Sequence, residues 1–592
     1  MARKQQAMHV ARTMSRRVNK AGVMVEYESV LLRRSFRQDG KVRHETLANL
    51  SALPEHAVEA LRTALAGNAN PGLVSAAGLE AVRSLPHGHV AAVAAQAKAL
   101  GMPALLGRAG KMRDIAFALV IARVCRPGSK LATTRWWADT TLASDLGVAG
   151  ATTDEVYAAM DWLAGRQDAI EKTLASRHLS PEANPDRLAL FDLSSSWVTG
   201  HKCPLAARGY SRDGKKGLEQ IEYGLLTDPA GRPVSVRVVP GNTADPAAFE
   251  QLAKDFKTRY GLQEMDLVGD RGMITNARIE QLKELGGLGW VTALRAPAIQ
   301  ALAADDGPLQ MSLFDEQNLA EIAHPDYPGE RLIACRNPAL AAERARKRTA
   351  LLAATETELA KITAAAEAGR LKDAGKIGVR AGKVVGRYKM EKHYTLTIDD
   401  TSFTWTRNEE QIAAEAALDG IYIIRTTVNE TRMDAGQVVA TYKSLANVER
   451  DFRSIKAIDL HLRPVHHYTE TRVRAHVFIC MLAAYLTWHL RKAWAPLTNT
   501  CEHRPEPANP VAPAERSTAA QAKASRRTTA GGQAVYSFRS LLDHLGTLTR
   551  NRLHLDGTPD TAGFDLVTTP TPVQRQAFEL IGQPIPTTIG GK

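Results

Sequence analysis

The order of apolar segments between residues 187 and 295 constrains the fold of this chain more than any other feature. Buried or alternating runs in this region predict strand, strand, strand, helix, strand, helix and strand, in that order. Asp192 ends the first strand, Asp270 ends the fourth, and Asp245 begins the first helix. Strands that alternate with helices predict an α/β domain. If the first and fourth strands are parallel neighbours, Asp192 and Asp270 lie together at one edge of the sheet.

Paired carboxylates at the edge of a sheet suit one kind of chemistry in particular. Phosphoryl transfer by two metal ions needs carboxylates around both ions, so that the attacking and the leaving oxygen are each stabilised. Carboxylate oxygens are suitable ligands for Mg²⁺ and Mn²⁺. An aspartate at a strand end is more often a turn residue than a ligand, however, and a third carboxylate has to come from elsewhere in the chain.

The segment TYKSLANVERDFRSIK offers that third carboxylate. At about 100° per residue, Tyr442, Glu449, Arg453 and Lys456 fall on one narrow polar stripe of a helix, beside an apolar face. A carboxylate flanked by groups that hold phosphates is the arrangement that a metal ligand in a nucleic acid enzyme requires. The alternative is an ordinary amphipathic helix in which Glu449 and Arg453 form an ion pair.

The charge of the chain favours a polyanionic partner. The chain has 76 Lys and Arg against 63 Asp and Glu, and a net charge of +13 suits either a nucleic acid or an anionic membrane surface. Residues 1–45 contain eleven basic and four acidic residues, and residues 370–392 contain eight and two. Taken alone, each run is more typical of a solvated face than of a binding site.

Cysteine usage and the distribution of apolar residues exclude several classes of protein. The five cysteines are scattered without a C-x-x-C pair, which argues against a zinc module and a disulfide framework and fits a reducing cytosol. The N-terminus has no apolar segment of the kind that a secretory signal needs. The longest apolar run, from Val477 to Trp488, is too short to span a bilayer and predicts a buried helix. We therefore expect a cytoplasmic protein with no membrane partner.

The histidines of residues 461–476 and the single residue Trp405 are weaker candidates for a site. The histidines of residues 461–476 lack the cysteines of a zinc site, and we expect them to pack against the core or DNA. Trp405 is predicted to pack within a β segment, the alternative being that it stacks on an extruded base.

The predicted helix resembles a family motif. Tyr442, Glu449 and Lys456 match the Y-x2-R-x3-E-x6-K helix of the DDE transposases of bacterial insertion sequences, in the insertion-sequence-four-like superfamily. Leu445 takes the place of the arginine, and in this the chain resembles the longer-chain subgroup of that superfamily. Six segments resemble family segments and follow one another in the family's order: FDLSSSW, GYSRDGKKGLEQIEYGLL, PGNTADP, DLVGDRGMIT, YKSLANVERDFRSIK and LRPVHHYTETRVRAHVFICMLAAYL.

The resemblance implies a fold and a metal centre. The fold would be an RNase H-like catalytic core with a large insertion before the last catalytic helix. Asp192, Asp270 and Glu449 would hold two ions of Mg²⁺ or Mn²⁺. Water activated there would nick the DNA, and the freed 3′-OH would attack the other strand or the target.

Four residues are predicted to bind DNA. By resemblance, Tyr442 and Lys456 would hold phosphates near the cleavage point. Arg271 lies next to the second aspartate and is a further candidate, although a surface arginine at a helix start is an equally good interpretation. Arg453 would replace the arginine that is missing at position 445, because its guanidinium can bind a phosphate through two hydrogen bonds.

Seven regions are expected along the chain, and together they give an α/β fold in which the RNase H-like core is preceded by a mainly helical N-terminal DNA-binding region. The regions are a basic N-terminal region (1–105), a helical DNA-binding domain (106–184), the first part of the RNase H-like core (185–296), an insertion subdomain (297–415), the second part of the core with the catalytic helix (416–496), a disordered linker (497–533) and a C-terminal tail (534–592).

The sequence thus predicts a transposase that binds the terminal inverted repeats of its insertion sequence, cleaves DNA and joins 3′-OH ends to target DNA. Its partners would be double-stranded DNA, both element ends and target, and a second copy of the chain in a synaptic complex. It would act in the cytoplasm, associated with the nucleoid. Two alternatives stay open: a two-metal DNA nuclease without strand transfer, and a non-catalytic DNA-binding repressor on an RNase H-like scaffold.

Overall fold

The structure is a computed structural model, and it describes most of the 592 residues of the chain. The described residues are 8–18, 24–38, 41–66, 79–215, 217–243, 253–255, 257–304, 307–314, 317–505, 509–555 and 563–589.

Long strands open the chain, in a region where the sequence predicts mainly helix. They are β1 (Met8–Val18), β2 (Met24–Gln38) and β3 (Lys41–Asn49), which pair antiparallel in that order, and they are followed by helix α1 (Glu55–Leu65) and strand β4 (Leu79–Pro86). The prediction of a mainly helical N-terminal region is therefore wrong for this part. Arginine and glutamate lie opposite each other across the strands, as Arg16 and Glu26 do, and such cross-strand pairs stabilise a sheet.

Helices follow from residue 88 to residue 179, as the sequence predicts for most of this range. They are α2 (Gly88–Ala99), α3 (Met102–Leu106), α4 (Lys111–Cys125), α5 (Lys130–Ala138), α6 (Thr141–Asp145), α7 (Thr153–Ala164) and α8 (Gln167–Leu179). Thr152 caps α7 and forms a capping box with Glu155. Helix α4 is buried almost throughout and packs against α7, and these helices share one hydrophobic core with the sheet that follows.

Five strands form one side of an eight-stranded sheet and include one of its edges. They are β5 (Leu188–Trp197), β6 (Gln220–Thr227), β7 (Pro233–Pro240), β8 (Met265–Val268) and β9 (Leu288–Ala293), with helix α9 (Asn276–Leu285) between the last two. In space the order is β7, β6, β5, β8, β9. Strand β6 is antiparallel to both β7 and β5, whereas β8 is parallel to both β5 and β9. This arrangement is consistent with an RNase H-like core. The predicted helix that begins at Asp245 lies largely outside the described residues.

The sheet extends beyond β9 into the range where the sequence predicts an insertion. After helix α10 (Ala296–Leu302), the strands β10 (Leu319–Ile322) and β11 (Arg331–Arg336) join the sheet together with the later strand at residues 421–426, all antiparallel to their neighbours. Ile333 and Cys335 of β11 are fully buried in the hydrophobic core that β5 and β8 share, so this segment is part of the central sheet.

Residues 338–417 form a compact unit that we call the insertion unit. It contains α11 (Pro338–Glu367), α12 (Ala374–Tyr388), β12 (Tyr394–Ile398), β13 (Phe403–Arg407) and α13 (Glu409–Ala417). The unit has a hydrophobic core of its own, which includes Leu359, Ile377 and Phe403. Trp405 packs against that core with its ring against Tyr394, at 5.6 Å between ring centroids, as the packing interpretation expects.

The helix predicted over residues 434–456 is not continuous. After β14 (Ile421–Thr426), the chain forms α14 (Ala435–Lys443) and α15 (Leu445–Arg453), separated by a turn at Ser444, and then one π-helical turn (Ser454–Ile458). The hydroxyl of Ser444 donates a hydrogen bond to the carbonyl of Thr441 at 2.6 Å. The break and the wider π turn both change the angle at which later residues project.

Helix α16 (Glu470–Ala493) crosses the hydrophobic core. It is long and apolar enough to cross a membrane by length and composition, but 83% of its most apolar window is buried inside the protein. Its buried His476 accepts a hydrogen bond from Lys130 at 3.2 Å and donates one to the carbonyl of Leu462 at 3.1 Å. This helix therefore belongs to the core, and its histidine has the packing role that we expect.

The C-terminal part completes the N-terminal sheet. It contains α17 (Thr518–Arg526), α18 (Phe538–Gly546), β15 (Thr549–Leu555), β16 (Phe564–Val567) and α19 (Pro572–Leu580). The order of the second sheet is β1, β2, β3, β16, β15, β4. Helix α17 lies within the range expected to be a disordered linker, and it is anchored by the buried Lys523, which donates to the carbonyl of Ala495 at 2.9 Å.

Candidate active site

Two aspartates stand side by side on the central sheet. Strands β5 and β8 are parallel neighbours, and Leu190 lies opposite Val268. Asp192 is two residues beyond the first of this pair and Asp270 is two residues beyond the second, so the two residues lie at the same level. The prediction that Asp192 ends its strand is wrong, because β5 continues to Trp197 through its pairing with β6, whereas Asp270 does follow the end of β8. The sequence prediction for this pair required parallel neighbours, and the structure has them.

Asp192 is the most buried of the three predicted carboxylates. The pKa of its carboxyl group is raised to about 7, mainly by burial and also by the charges of Asp270 and Glu449, against the lowering effect of a hydrogen bond from the backbone N–H of Leu193 at 2.8 Å. The mutual influence means that the three carboxylates share one electrostatic neighbourhood. The structure therefore brings together the three acidic residues that the sequence singles out.

Helix α15 holds Glu449 in this neighbourhood. The helix packs against β5 through the buried side chains of Val448 and Phe452, and the Phe452 ring contacts Tyr223 of β6 with 5.7 Å between ring centroids. Glu449 follows Val448 and is exposed at the edge of this contact. The apolar face of the helix thus fixes its position on the sheet and leaves the glutamate free to face the aspartates.

Tyr442 belongs to the same group. It lies on α14 and its side chain is half-buried. Burial raises the pKa of its hydroxyl group, and the carboxylates of Asp270, Glu449 and Asp192 raise it further, whereas the charge of Arg271 lowers it. The hydroxyl therefore stays protonated in the neutral range and is a hydrogen-bond donor close to the three carboxylates.

Arg271 is exposed next to the second aspartate. Its backbone N–H donates to a carboxylate oxygen of Asp270 at 2.8 Å, and its carbonyl accepts a hydrogen bond from Arg295 at 3.4 Å. These two hydrogen bonds hold the backbone at Arg271, directly after Asp270. The guanidinium of Arg271 acts electrostatically on Tyr442, so it lies at the same end of the sheet.

Arg453 does not pair with Glu449 among the ion pairs that the described residues form. Its side chain is exposed and lines a cavity of about 820 Å³ beside α15. The other basic residues of this cavity are Arg450, Arg491, Lys492, Arg504 and Arg516. The alternative interpretation of Arg453 as one half of a helical ion pair therefore has no support in this geometry.

Lys456 lies away from the predicted stripe. It is in the π-helical turn and is buried, and its ammonium group contacts the carboxylate of Asp213 at 2.9 Å. Arg463 pairs with the same carboxylate, and its guanidinium lies over the ring of Trp197 at 5.1 Å. A wheel at 100° per residue fails here because the turn at Ser444 and the π turn both shift the phase of the helix.

Sequence reasoning missed one residue near the site, Arg212. Its charge lowers the pKa of Asp192, and its backbone N–H donates to the hydroxyl of Ser195 at 3.1 Å. Its guanidinium lies 3.6 Å from the buried carboxylate of Glu222. The available signal was the run GYSRDGKK, which places several basic residues just before a buried strand.

The three carboxylates fit a hard divalent cation. Their oxygens are the ligands that Mg²⁺ and Mn²⁺ prefer. Within the described ranges, no three acidic, histidine or cysteine side chains stand close enough to enclose an ion as they are placed.

A known protein family matches the part of the chain that contains the candidate site. The family model described as Transposase DDE domain matches residues 185–486, about half of the chain, and this range includes every candidate site residue. A second model, described as IS1634 family transposase, N-terminal domain, matches residues 14–72. No curated protein matches the chain.

Proposed function

We propose that this chain, which belongs to the DDE transposase family of insertion sequences, binds the terminal inverted repeats of its own element and cuts the DNA there. It would then join the freed 3′-OH ends to target DNA. Enzymes of this family cleave and transfer DNA with the help of metal ions, so the chain is a metal-dependent enzyme that acts on DNA. Within the family we place it in the longer-chain subgroup of the insertion-sequence-four-like superfamily, because Leu445 replaces the motif arginine.

One observation carries the proposal: three carboxylates from distant parts of the chain influence one another's charge. Asp192, Asp270 and Glu449 come from β5, from the end of β8 and from α15. A buried carboxylate that lies near two other carboxylates is costly for the fold, and such groups are typical of functional sites. This supports their assignment as the ligands of two Mg²⁺ or Mn²⁺ ions.

The ions, when bound, would polarise the scissile phosphate and favour deprotonation of the attacking water or 3′-OH. The chain itself would position the three carboxylates. The parallel pairing of β5 and β8 fixes Asp192 relative to Asp270, and α15 carries Glu449 to them. The protonated hydroxyl of Tyr442 would donate a hydrogen bond to a phosphate oxygen at the cleavage point.

Arginines would hold the DNA on both sides of the carboxylates. We assign Arg271 to a phosphate next to Asp270, and Arg453 to a phosphate further along the strand, where a guanidinium can bind through two hydrogen bonds. Lys456 would act differently from the sequence prediction. Its contact with Asp213 makes it a positioning residue that ties the loop of Arg212 to the end of α15.

Joining two element ends at one target requires two active sites that work together. We therefore propose that two copies of the chain act as a homodimer in a synaptic complex with double-stranded DNA. The net charge of +13 supports such a polyanionic partner.

A reaction with three components tests this function. The purified full chain is incubated with a labelled duplex that carries one end of the element, with Mg²⁺ and with a target plasmid. We expect label to appear in the plasmid and to be absent when EDTA replaces Mg²⁺. The Asp326→Asn variant serves as control, because that carboxylate is 79% exposed and the change removes one charge without touching the proposed site.

The two alternatives predict other products. Nicks without label in the plasmid would mean a nuclease that does not transfer strands. A shifted duplex that is neither nicked nor joined would mean a DNA-binding protein without catalysis. Either result, obtained with protein that melts cooperatively, would overturn the proposed transposition reaction.

A further inference from the structure

Helix α12 of the insertion unit presents a row of basic side chains to solvent. Lys376, Arg380, Lys383 and Arg387 are all exposed, and at 100° per residue they fall within an arc of about 60° on one side of the helix. The opposite side holds Ile377, Ala381 and Val385, which are buried in the core of the insertion unit. We call the four exposed residues the basic stripe.

The basic stripe forms no ion pair within the described part of the chain. Among the ion pairs that the described residues form, none includes a member of the stripe. On the neighbouring helix α11 the pattern is different: Arg346 and Lys347 both pair with Glu343, and Lys361 pairs with Glu358. Ordinary solvated faces of this unit thus balance their charges within the helix, whereas no member of the stripe forms an ion pair among the described residues, although the charge of Arg387 lowers the pKa of Glu358 on α11.

Glycines border the stripe on one side. Gly375, Gly382 and Gly386 are exposed and lie next to the stripe on the helix surface. A Cβ atom at Gly382 would have no other atom within 4 Å. Glycine weakens the middle of a helix, and packing within the chain does not require it at this position. A bare backbone beside positive charges does, however, let a second molecule approach the helix closely.

We propose that the basic stripe and its glycine border dock a DNA duplex by its phosphate backbone, without regard to base sequence. The twelve residues from Lys376 to Arg387 extend over about 16 Å, and phosphates on one strand follow each other every 3.4 Å or so along the axis. A membrane surface is a poorer partner, because the apolar face of α12 is buried and only Val379 among its large apolar residues is exposed.

The proposed docking surface depends on the proposed function only because that function makes DNA the expected partner. The contacts it offers are charges and backbone, which carry no sequence information. Any DNA duplex that contacts the insertion unit can therefore bind to the stripe, so a duplex unrelated to the element is a sufficient probe. Binding of such a probe needs neither cleavage nor the element ends, so a failure here is distinct from a failure of transposition.

The test compares two triple variants of the full chain. One is Lys376→Ala with Arg380→Ala and Lys383→Ala, and the other is Arg346→Ala with Lys347→Ala and Lys361→Ala, which also removes two lysines and one arginine from exposed positions. Affinity for an unrelated duplex is measured over a range of salt concentrations, and melting temperatures verify that both variants are folded.

We expect the slope of log affinity against log salt to flatten by up to about 2.7 in the stripe variant, at about 0.9 per lost phosphate contact, and to stay unchanged in the α11 variant. A duplex with an element end should lose affinity in the same proportion. Equal slopes for the stripe variant and the unmodified chain would overturn the proposal and make the stripe a solvated face.

A single change tests the glycine border separately. Gly382→Gln keeps every charge and replaces glycine by a better helix former. We expect a higher melting temperature and weaker binding of the unrelated duplex, because the new side chain keeps the backbone of the DNA away from the helix. Unchanged binding would show that close approach at Gly382 plays no part.

Discussion

Asp192 and Asp270 lie at the same level of the central sheet, each two residues beyond a member of the directly opposed pair Leu190 and Val268. Asp192 lies within β5, and Asp270 follows the end of β8 by two residues, so their relative position is set by the register of two parallel strands and by the short segment after β8. A slip of the register by one residue would turn Asp192 to the other face of the sheet. The geometry of the proposed metal centre is thus tied to the pairing of β5 with β8.

The first prediction separates binding from chemistry. Asp192→Asn, Asp270→Asn and Glu449→Gln should each slow DNA cleavage by at least about a thousandfold, because each removes one ligand charge from a catalytic unit. Binding of the element end should persist, since the amides keep the shape of the side chains. Cleavage assays and gel shifts on the same preparations measure the two effects. Glu449 would lose its assignment if Glu449→Gln joined ends at the unmodified rate.

The second prediction concerns Arg453, which faces a basic cavity and has no ion pair with Glu449. A guanidinium that binds a phosphate through two hydrogen bonds is not replaced by an ammonium group. Arg453→Lys should therefore slow cleavage of the element end about tenfold or more. The melting temperature should not change, because the side chain is exposed. Near-normal cleavage by both Arg453→Lys and Arg453→Ala would transfer the role to another residue, and Arg450 would be the next to test.

The third prediction contrasts Lys456 with Arg453. Lys456 is paired with the buried Asp213, which keeps its ion pair with Arg463 when Lys456 is changed, so Lys456→Met should lower the free energy of unfolding by about 1.5 kcal/mol. The salt dependence of DNA binding should stay the same, because the ammonium group does not reach the DNA. Denaturant titration and binding at several salt concentrations measure these two quantities. A flatter salt slope without loss of stability would restore the DNA contact that the sequence motif predicts for Lys456.

The candidate site could be predicted from the sequence where local pattern decides the structure. Asp192 and Asp270 each follow a short apolar run, and Glu449 follows a regular apolar face, so each was visible within a window of a few residues. The end of the first strand was placed too early, because the polar residues after Asp192 continue the pairing of β5 with β6. Lys456 could not be placed in the same way, because a turn at Ser444 and a π turn interrupt the helix. Those irregularities depend on packing against the sheet and on the partner Asp213, which lies far away in sequence.

The fold shows the same division between local and distant interactions. The strands and helices of the central core follow from periodicity. The strands β1, β2 and β3 pair locally, but their many charged residues hide the alternation that would predict a strand. The rest of this sheet depends on the opposite end of the chain, because β16 pairs with β3 and β15 with β4. No window of the sequence contains both partners of such a pair.

The fourth prediction follows from this N-terminal sheet. Several of its arginines are paired across strands, as Arg16 is with Glu26 and Arg34 with Glu45. Among its described residues, Lys41 and Arg43 are exposed and have no ion pair. Replacing both by alanine should flatten the salt dependence of end binding by about 2 at most, with an unchanged melting temperature. A larger change would mean that DNA binding disrupts the cross-strand pairs.

The most direct test of the account is to locate the metal ions on the folded chain. Fe²⁺ substitutes for Mg²⁺ at carboxylate sites and, with peroxide and ascorbate, cuts the polypeptide next to the place where it is bound. The account predicts cuts near Asp192, Asp270 and Glu449, suppressed by excess Mg²⁺ and lost in Asp270→Asn. Cuts confined to other parts of the chain, or the same three cuts in the Asp270→Asn variant, would contradict it.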